Sequence, residues 1–172
     1  IMALFSGSAD QAVKAGIAML QQLVEYNQHR LGKGYVPVQI GIGINTGSLM
    51  LGTVGGPHRM DSTVISDAVN LASRLEGLTK DYGVPLLISH HTFSRLQHRE
   101  KYAIRMIDKV KVKGKSELVT VYEVFEADEA DRKAGKLATM EIFTKALALY
   151  EREEFASAMR LFEECLKQNP LD

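Results

Sequence analysis

Val38, Ile40, Ile42 and Ile44 alternate with Gln39, Gly41, Gly43 and Asn45. A period of two predicts a strand with one apolar face. Its other face is small and polar, as a surface must be if another element approaches it closely. Thr46-Gly47 reads as a turn, and Ser48 to Val54 as the returning arm of a hairpin. Gly55-Gly56-Pro57 reads as a loop and Ser62 to Ile65 as a further strand. Ser66 or Asp67 then caps a helix whose core face is Ala68, Leu71, Ala72, Leu75 and Leu78.

The same reading extends to both ends. Ile1 to Phe5 is a short apolar run closed by Ser6-Gly7-Ser8, which predicts a buried strand. Ser8 and Gln11 have capping-box spacing. Ala12, Ala15, Met19, Leu20, Leu23 and Val24 place a helix to about His29, before Gly32-Lys33-Gly34. Pro85 to Ile88 is a strand and Thr92 to Leu96 a short helix. Tyr102 to Val112 and Leu118 to Phe125 form a hairpin around Lys113-Gly114-Lys115. Strands and helices mixed with hairpins predict an α+β fold, not a doubly wound parallel sheet.

Residues 126–138 are rich in Glu, Asp, Ala and Lys and read as a solvated linker or short helix. Two helical stripes follow over residues 139–172: Phe143, Ala146, Leu147 and Tyr150, then Phe155, Ala158, Met159, Phe162, Cys165 and Leu166. The polar break lies at Glu151 to Glu154, and Asn169-Pro170 ends the second helix.

Composition narrows the function classes. Among 172 residues, 21 Lys and Arg balance 21 Asp and Glu, so no basic field argues for nucleic acid. Lys109, Lys111, Lys113 and Lys115 share one strand face, but without interleaved aromatic residues they read as a solvated edge. A single cysteine, Cys165, excludes an intrachain disulfide and points to a reducing compartment; on its apolar stripe it reads as core. His90-His91 has no carboxylate or thiol at metal-ligand spacing. No apolar stretch approaches the ~20 residues of a membrane span. Ile1 opens straight into an apolar run, which reads as the start of a fragment of a longer parent.

Candidate chemistry concentrates in Thr63-Val64-Ile65-Ser66-Asp67-Ala68-Val69-Asn70-Leu71-Ala72-Ser73-Arg74-Leu75. Asn70 and Arg74 lie one helical turn apart, near a helix N-terminus that attracts anions. On spacing alone they are also what two solvated polar residues would look like. The segment, however, resembles the signature of class III adenylyl and guanylyl cyclases. Ile1 to Phe5, Ile40 to Gly47, and Val112 to Lys115 with Val119 to Val124 resemble that family's flanking strands, in the family's order.

This resemblance implies a ferredoxin-like palm over residues 1–125, without its first strand and helix, followed by the linker and the helical hairpin. Asn70 then matches the residue that positions the ribose, and Arg74 the one that neutralises the α-phosphate. Thr63 matches a base-reading position and Lys113 a lysine on the outer phosphates. It implies conversion of ATP to cyclic AMP, with two Mg²⁺ or Mn²⁺ ions and a cytoplasmic head-to-tail homodimer. Threonine at position 63 fits ATP, with GTP the alternative. The family's metal aspartates would precede Ile1, and Asp10, Asp61 and Asp67 do not match them. The chain alone is therefore expected to be inactive. Ser66 stands where the family usually has glycine. Residues 139–172 also resemble one 34-residue tetratricopeptide repeat. A single repeat leaves an apolar face for a protein partner. The rival reading is an inactive cyclase-like interaction module.

Overall fold

The computed structural model describes residues 1–56, 59–111 and 118–172, with residues 50–65 described by their backbone. Helix α1 (Ala9–Gly32) is followed by β1 (Ile42–Ile44), β2 (Met50–Gly56), β3 (Arg59–Ile65) and α2 (Asp67–Asp81). Next come β4 (Leu86–Ser89), α3 (His90–Ser94), β5 (Ile104–Lys111) and β6 (Leu118–Val124), then α4 (Ala130–Glu151) and α5 (Phe155–Gln168). The main sheet has the order β1-β4-β6-β5, with β1 parallel to β4 and the other pairs antiparallel. The α+β reading holds.

Alternation along β4 explains the layering. Leu86 and Ile88 face α1, where Val13, Ile17 and Leu20 cover them. Leu87 points the other way and packs with Leu71 and Leu75 of α2 and Val121 of β6. The central strand is thus buried on both faces, which is why it reads as an unbroken apolar run rather than an alternating one. No helix among the described residues is long and apolar enough to cross a membrane.

Several expectations are corrected. Ile1 to Phe5 is not a strand, and Leu4 and Phe5 are about half exposed, at 46% and 47%. An apolar run becomes a strand only when another strand takes its hydrogen bonds, and no described strand lies beside it. The expected hairpin between residues 38–44 and 48–54 does not form. β1 instead pairs with β4 in the register Gly43↔Leu87, and β2 pairs with β3 in a separate ladder from Met50↔Ile65 to Gly56↔Arg59. Gly55 and Gly56 belong to that ladder, not to a loop. Alternation identifies a strand but not its partner. Ser8 precedes α1 without a side-chain cap, and α1 runs on to Gly32.

The stretch expected to be a linker is also different. α4 begins at Ala130, and Lys136 is fully buried. Its ammonium lies 2.5 Å from Glu123 Oε1 and 2.7 Å from Asp128 Oδ2. Glu123 also takes Arg105 at 2.6 Å. This charged cluster, invisible to a composition argument, fixes α4 to the sheet. α5 folds back on α4, with Phe143 and Phe162 edge to face at 5.5 Å. Cys165 is buried and its thiol is pushed up by that burial.

Candidate active site

The site is built on the glycine face of β1. Gly41, Gly43, Asn45 and Gly47 alternate along the chain, and α2 lies directly over them. A β-carbon on Gly43 would overlap the Ala72 carbonyl and the Glu76 amide, and one on Gly41 would overlap the Thr79 hydroxyl. At Gly47 it would come 2.8 Å from Ala68 Cβ. The small face inferred from sequence is therefore a seat on which helix backbone meets strand backbone.

Hydrogen bonds hold the first turn of α2 in that seat. Asn45 donates from Nδ2 to the Ala68 carbonyl at 2.9 Å and accepts on Oδ1 from Ser89 Oγ at 2.6 Å. One amide therefore joins β1, β4 and α2. Ser66 caps the helix, accepting from Ala68 N–H at 3.0 Å, and donates to the Ser48 carbonyl at 2.7 Å. Its φ of −166° is ordinary extended backbone, so serine replaces glycine here without strain. Thr92 lies 3.0 Å from Thr46, hydroxyl to hydroxyl, and donates to the Ile44 carbonyl at 3.3 Å.

Two residues beyond this clamp, Asn70 and Arg74 project from α2 and are exposed, while Leu71 and Leu75 point into the core. Among the described residues neither Asn70 nor Arg74 has a side-chain partner. A hydrogen-bonded clamp beneath two exposed polar groups is a rigid mount for side chains that meet something outside this chain.

Thr63 lies in β3, opposite Gly52 in the backbone ladder. Lys113 lies outside the described residues. The structure thus groups Asn70 with Arg74, and sets beneath them Asn45, Ser89 and Thr92, which sequence reasoning did not single out. Asn45 had a signal: it is the polar member of the alternating glycine face.

The described residues do not fit a metal pair. No three of their His, Cys, Asp or Glu side chains converge. Asp10 is buried and engaged, accepting from Gln97 N–H at 2.9 Å and from the Tyr102 hydroxyl at 3.0 Å. Burial pushes its carboxyl up, but these hydrogen bonds outweigh that and hold it below the ordinary value. Burial, and then the bond to Asp10, pushes Tyr102 up to about 12. His90 and His91 are exposed on α3.

A seated helix with an exposed Asn/Arg pair belongs to a known class. The family model for the adenylate and guanylate cyclase catalytic domain matches residues 4–124. The chain belongs to that family. It is 50% identical over 130 residues to an adenylate cyclase of Anabaena cylindrica, covering 72% of this chain and 26% of that protein. It is 37% identical over 178 residues to the terminal-differentiation specific adenylate cyclase of Dictyostelium discoideum, covering 100% of this chain and 8% of that protein. Among solved structures, the adenylyl cyclase CyaB of P. aeruginosa matches with TM-score 0.59 and 35% identity, over 69% of this chain and 61% of that one. The guanylyl cyclase Cya2 matches with TM-score 0.58 and 31% identity, over 76% and 65%. The chain spans about a quarter or less of these two curated relatives.

Proposed function

We propose that this protein is an adenylyl cyclase, converting ATP to cyclic AMP and pyrophosphate. The observation that carries the reading is the pair Asn70 and Arg74, exposed on a helix whose first turn is clamped from below. The adenylate cyclase names of the relatives from Anabaena and Dictyostelium support it.

In this reading the ribose 3′-oxygen attacks the α-phosphorus and its proton leaves. The new P–O bond closes the ring, the bond to the bridging oxygen breaks, and pyrophosphate departs. Little covalent help is needed, so positioning and charge neutralisation set the rate. The Asn70 amide orients the ribose. The Arg74 guanidinium meets the charge that builds on the α-phosphate, where a preorganised donor is worth ~10²–10³-fold in rate. Thr63 reads the base and Lys113 steadies the outer phosphates. Divalent ions, Mg²⁺ or Mn²⁺, would supply further charge neutralisation; Asp10, engaged by Gln97 and Tyr102, would not hold them.

Asn70 and Arg74 have no hydrogen-bond or ion-pair partner for their side chains in their own chain among the described residues. We therefore read the site as completed by a second copy in a head-to-tail homodimer. We divide the chain into a cyclase unit over residues 1–125 and a tetratricopeptide-like hairpin over residues 139–172, available to a protein partner.

The test is product formation by the full-length protein from ATP and from GTP, beside its Asn70→Ala variant. Cyclic AMP that disappears in the variant supports the reading. Cyclic GMP would keep the mechanism but reassign the base, as the similarity to Cya2 makes a fair alternative. No product from a folded dimer would favour the interaction module.

A further inference from the structure

Between β5 and the helices α4 and α5 lies a groove of about 530 Å³. That is within the range of small-molecule sites, about 300–1,000 Å³. Ile107, Phe143, Phe162 and Leu166 form apolar walls, and Arg105 and Arg132 supply the polar end. The proposed chemistry at Asn70 and Arg74 uses none of these residues.

Two observations give the groove a chemical preference. Asp172, on the segment that follows α5, grips Arg105 as a fork, with Oδ1 to Nη2 and Oδ2 to Nη1, both at 2.5 Å. Arg105 is held for this contact: its side chain is 6% exposed, Glu123 takes its Nε, and its guanidinium lies 4.6 Å from the Phe143 ring centroid. The face it turns to the groove is therefore a preorganised carboxylate receptor, occupied by a carboxylate of its own chain. In addition, Nε of Arg132 is buried without a hydrogen-bond partner, with Asp128 Oδ2 no nearer than 3.8 Å. Such a donor is costly to leave unmade.

We propose that this groove binds a small organic acid, a carboxylate on an apolar body, which displaces Asp172 from Arg105. The exchange replaces one forked carboxylate with another, so Arg105 stays paired throughout. The ligand gains the Arg132 donor that Asp172 leaves unused, and lays its apolar part against Ile107, Phe162 and Leu166. Charge makes the site selective. Arg105, Arg132 and Lys136 are matched by Glu123, Asp128 and Asp172. When Asp172 swings away, the cluster is one negative charge short, which an acid restores and a neutral amphiphile does not. The tethered Asp172 competes as an internal ligand at an effective concentration of ~mM, so its removal strengthens binding.

The test is a titration of the full-length protein with decanoate, read by methyl NMR. Saturable shifts are expected at Val84, Ile107 and Leu166, with none at Leu23 and Ile40 beside α1. Decanol at the same concentrations leaves them in place. Asp172→Ala raises the affinity about tenfold and Arg132→Met, which keeps an apolar stem, lowers it about tenfold, as expected for a charge-assisted bond. Should Arg132→Met not fold, Leu166→Trp, at a half-exposed position, fills the groove and abolishes the shifts. Equal response to decanol and decanoate, shifts confined to the α1 side, or indifference to Asp172→Ala would overturn the proposal.

Discussion

Gly43 lies directly beneath Ala72, so close that a β-carbon on the strand residue would overlap the helix carbonyl. Helix α2 therefore cannot rise or slide without losing the seat that positions Asn70 and Arg74. Gly43→Ala is expected to cost roughly 1–3 kcal/mol, because the overlap is with backbone and not with a side chain that can turn aside. Gly77 is the matched control. It lies in α2 with open space around it, so Gly77→Ala should stabilise by about 0.5–1 kcal/mol through helix propensity alone. Urea titration of both variants checks the pair. Equal effects would mean that α2 is not seated on β1 as described.

Asn70 and Arg74 should behave oppositely to the seat below them. Both are exposed, so alanine at either position should change folding stability by no more than about 0.5 kcal/mol. In the full-length protein each should lower the rate of cyclisation by ~10²–10³-fold. Asn45→Ala acts through Ala68 and Ser89 and makes no contact with substrate in this reading. It should lower kcat more than it raises KM, because it loosens the mount and leaves Asn70 and Arg74 intact. A variant at Asn70 with full activity would remove the proposed role.

How much of this was legible in the sequence follows from what each signal encodes. The period-two run at Val38 to Asn45 revealed both the apolar face of β1 and the close approach to its glycine side. It did not reveal the partner of β1, since alternation says nothing about which edge is satisfied, and the hairpin inferred there was replaced by a parallel pairing with β4. Asn70 and Arg74 stood out through their spacing and resemblance, whereas Asn45, Ser89 and Thr92 meet only after residues 44 and 46 positions apart are folded together. Lys136 looked solvated because composition around it is charged; its burial depends on Glu123 of β6 and the nearby Asp128 both turning their carboxylates onto its ammonium.

Lys136 and Glu123 make the next prediction. Both side chains are fully buried. Removing one partner strands a charge, so Lys136→Met should destabilise by roughly 3–5 kcal/mol. Adding Glu123→Gln should recover part of that loss, since Arg105 keeps Asp172, while Asp128 still faces the methionine. A double-mutant cycle in urea measures the coupling. Additive losses would show that the pair does not secure α4 to the sheet.

Asp10 and Tyr102 set the pH dependence of the N-terminal end of α1. The Asp10 carboxyl is lowered from its ordinary 3.8. The folded state thus prefers the ionised form, and this stabilisation is complete above about pH 4 and is lost as pH falls through the lowered value. Tyr102 runs the other way. Its hydroxyl is raised from 10.0 to about 12, so its contribution is held below pH 10 and disappears as pH rises through 12. Asp10→Asn keeps the size of the side chain but removes its charge and one of the two acceptors used by Gln97 N–H and the Tyr102 hydroxyl. It should cost about 2 kcal/mol near neutral pH, the magnitude of hydrogen bonds to a charged group, and progressively less as pH falls and the native carboxyl takes up its proton. Urea unfolding of both proteins across the acid range is the measurement. A constant difference between them from about pH 2 to pH 7 would show that the Asp10 charge does not hold α1 to the loop carrying Gln97 and Tyr102.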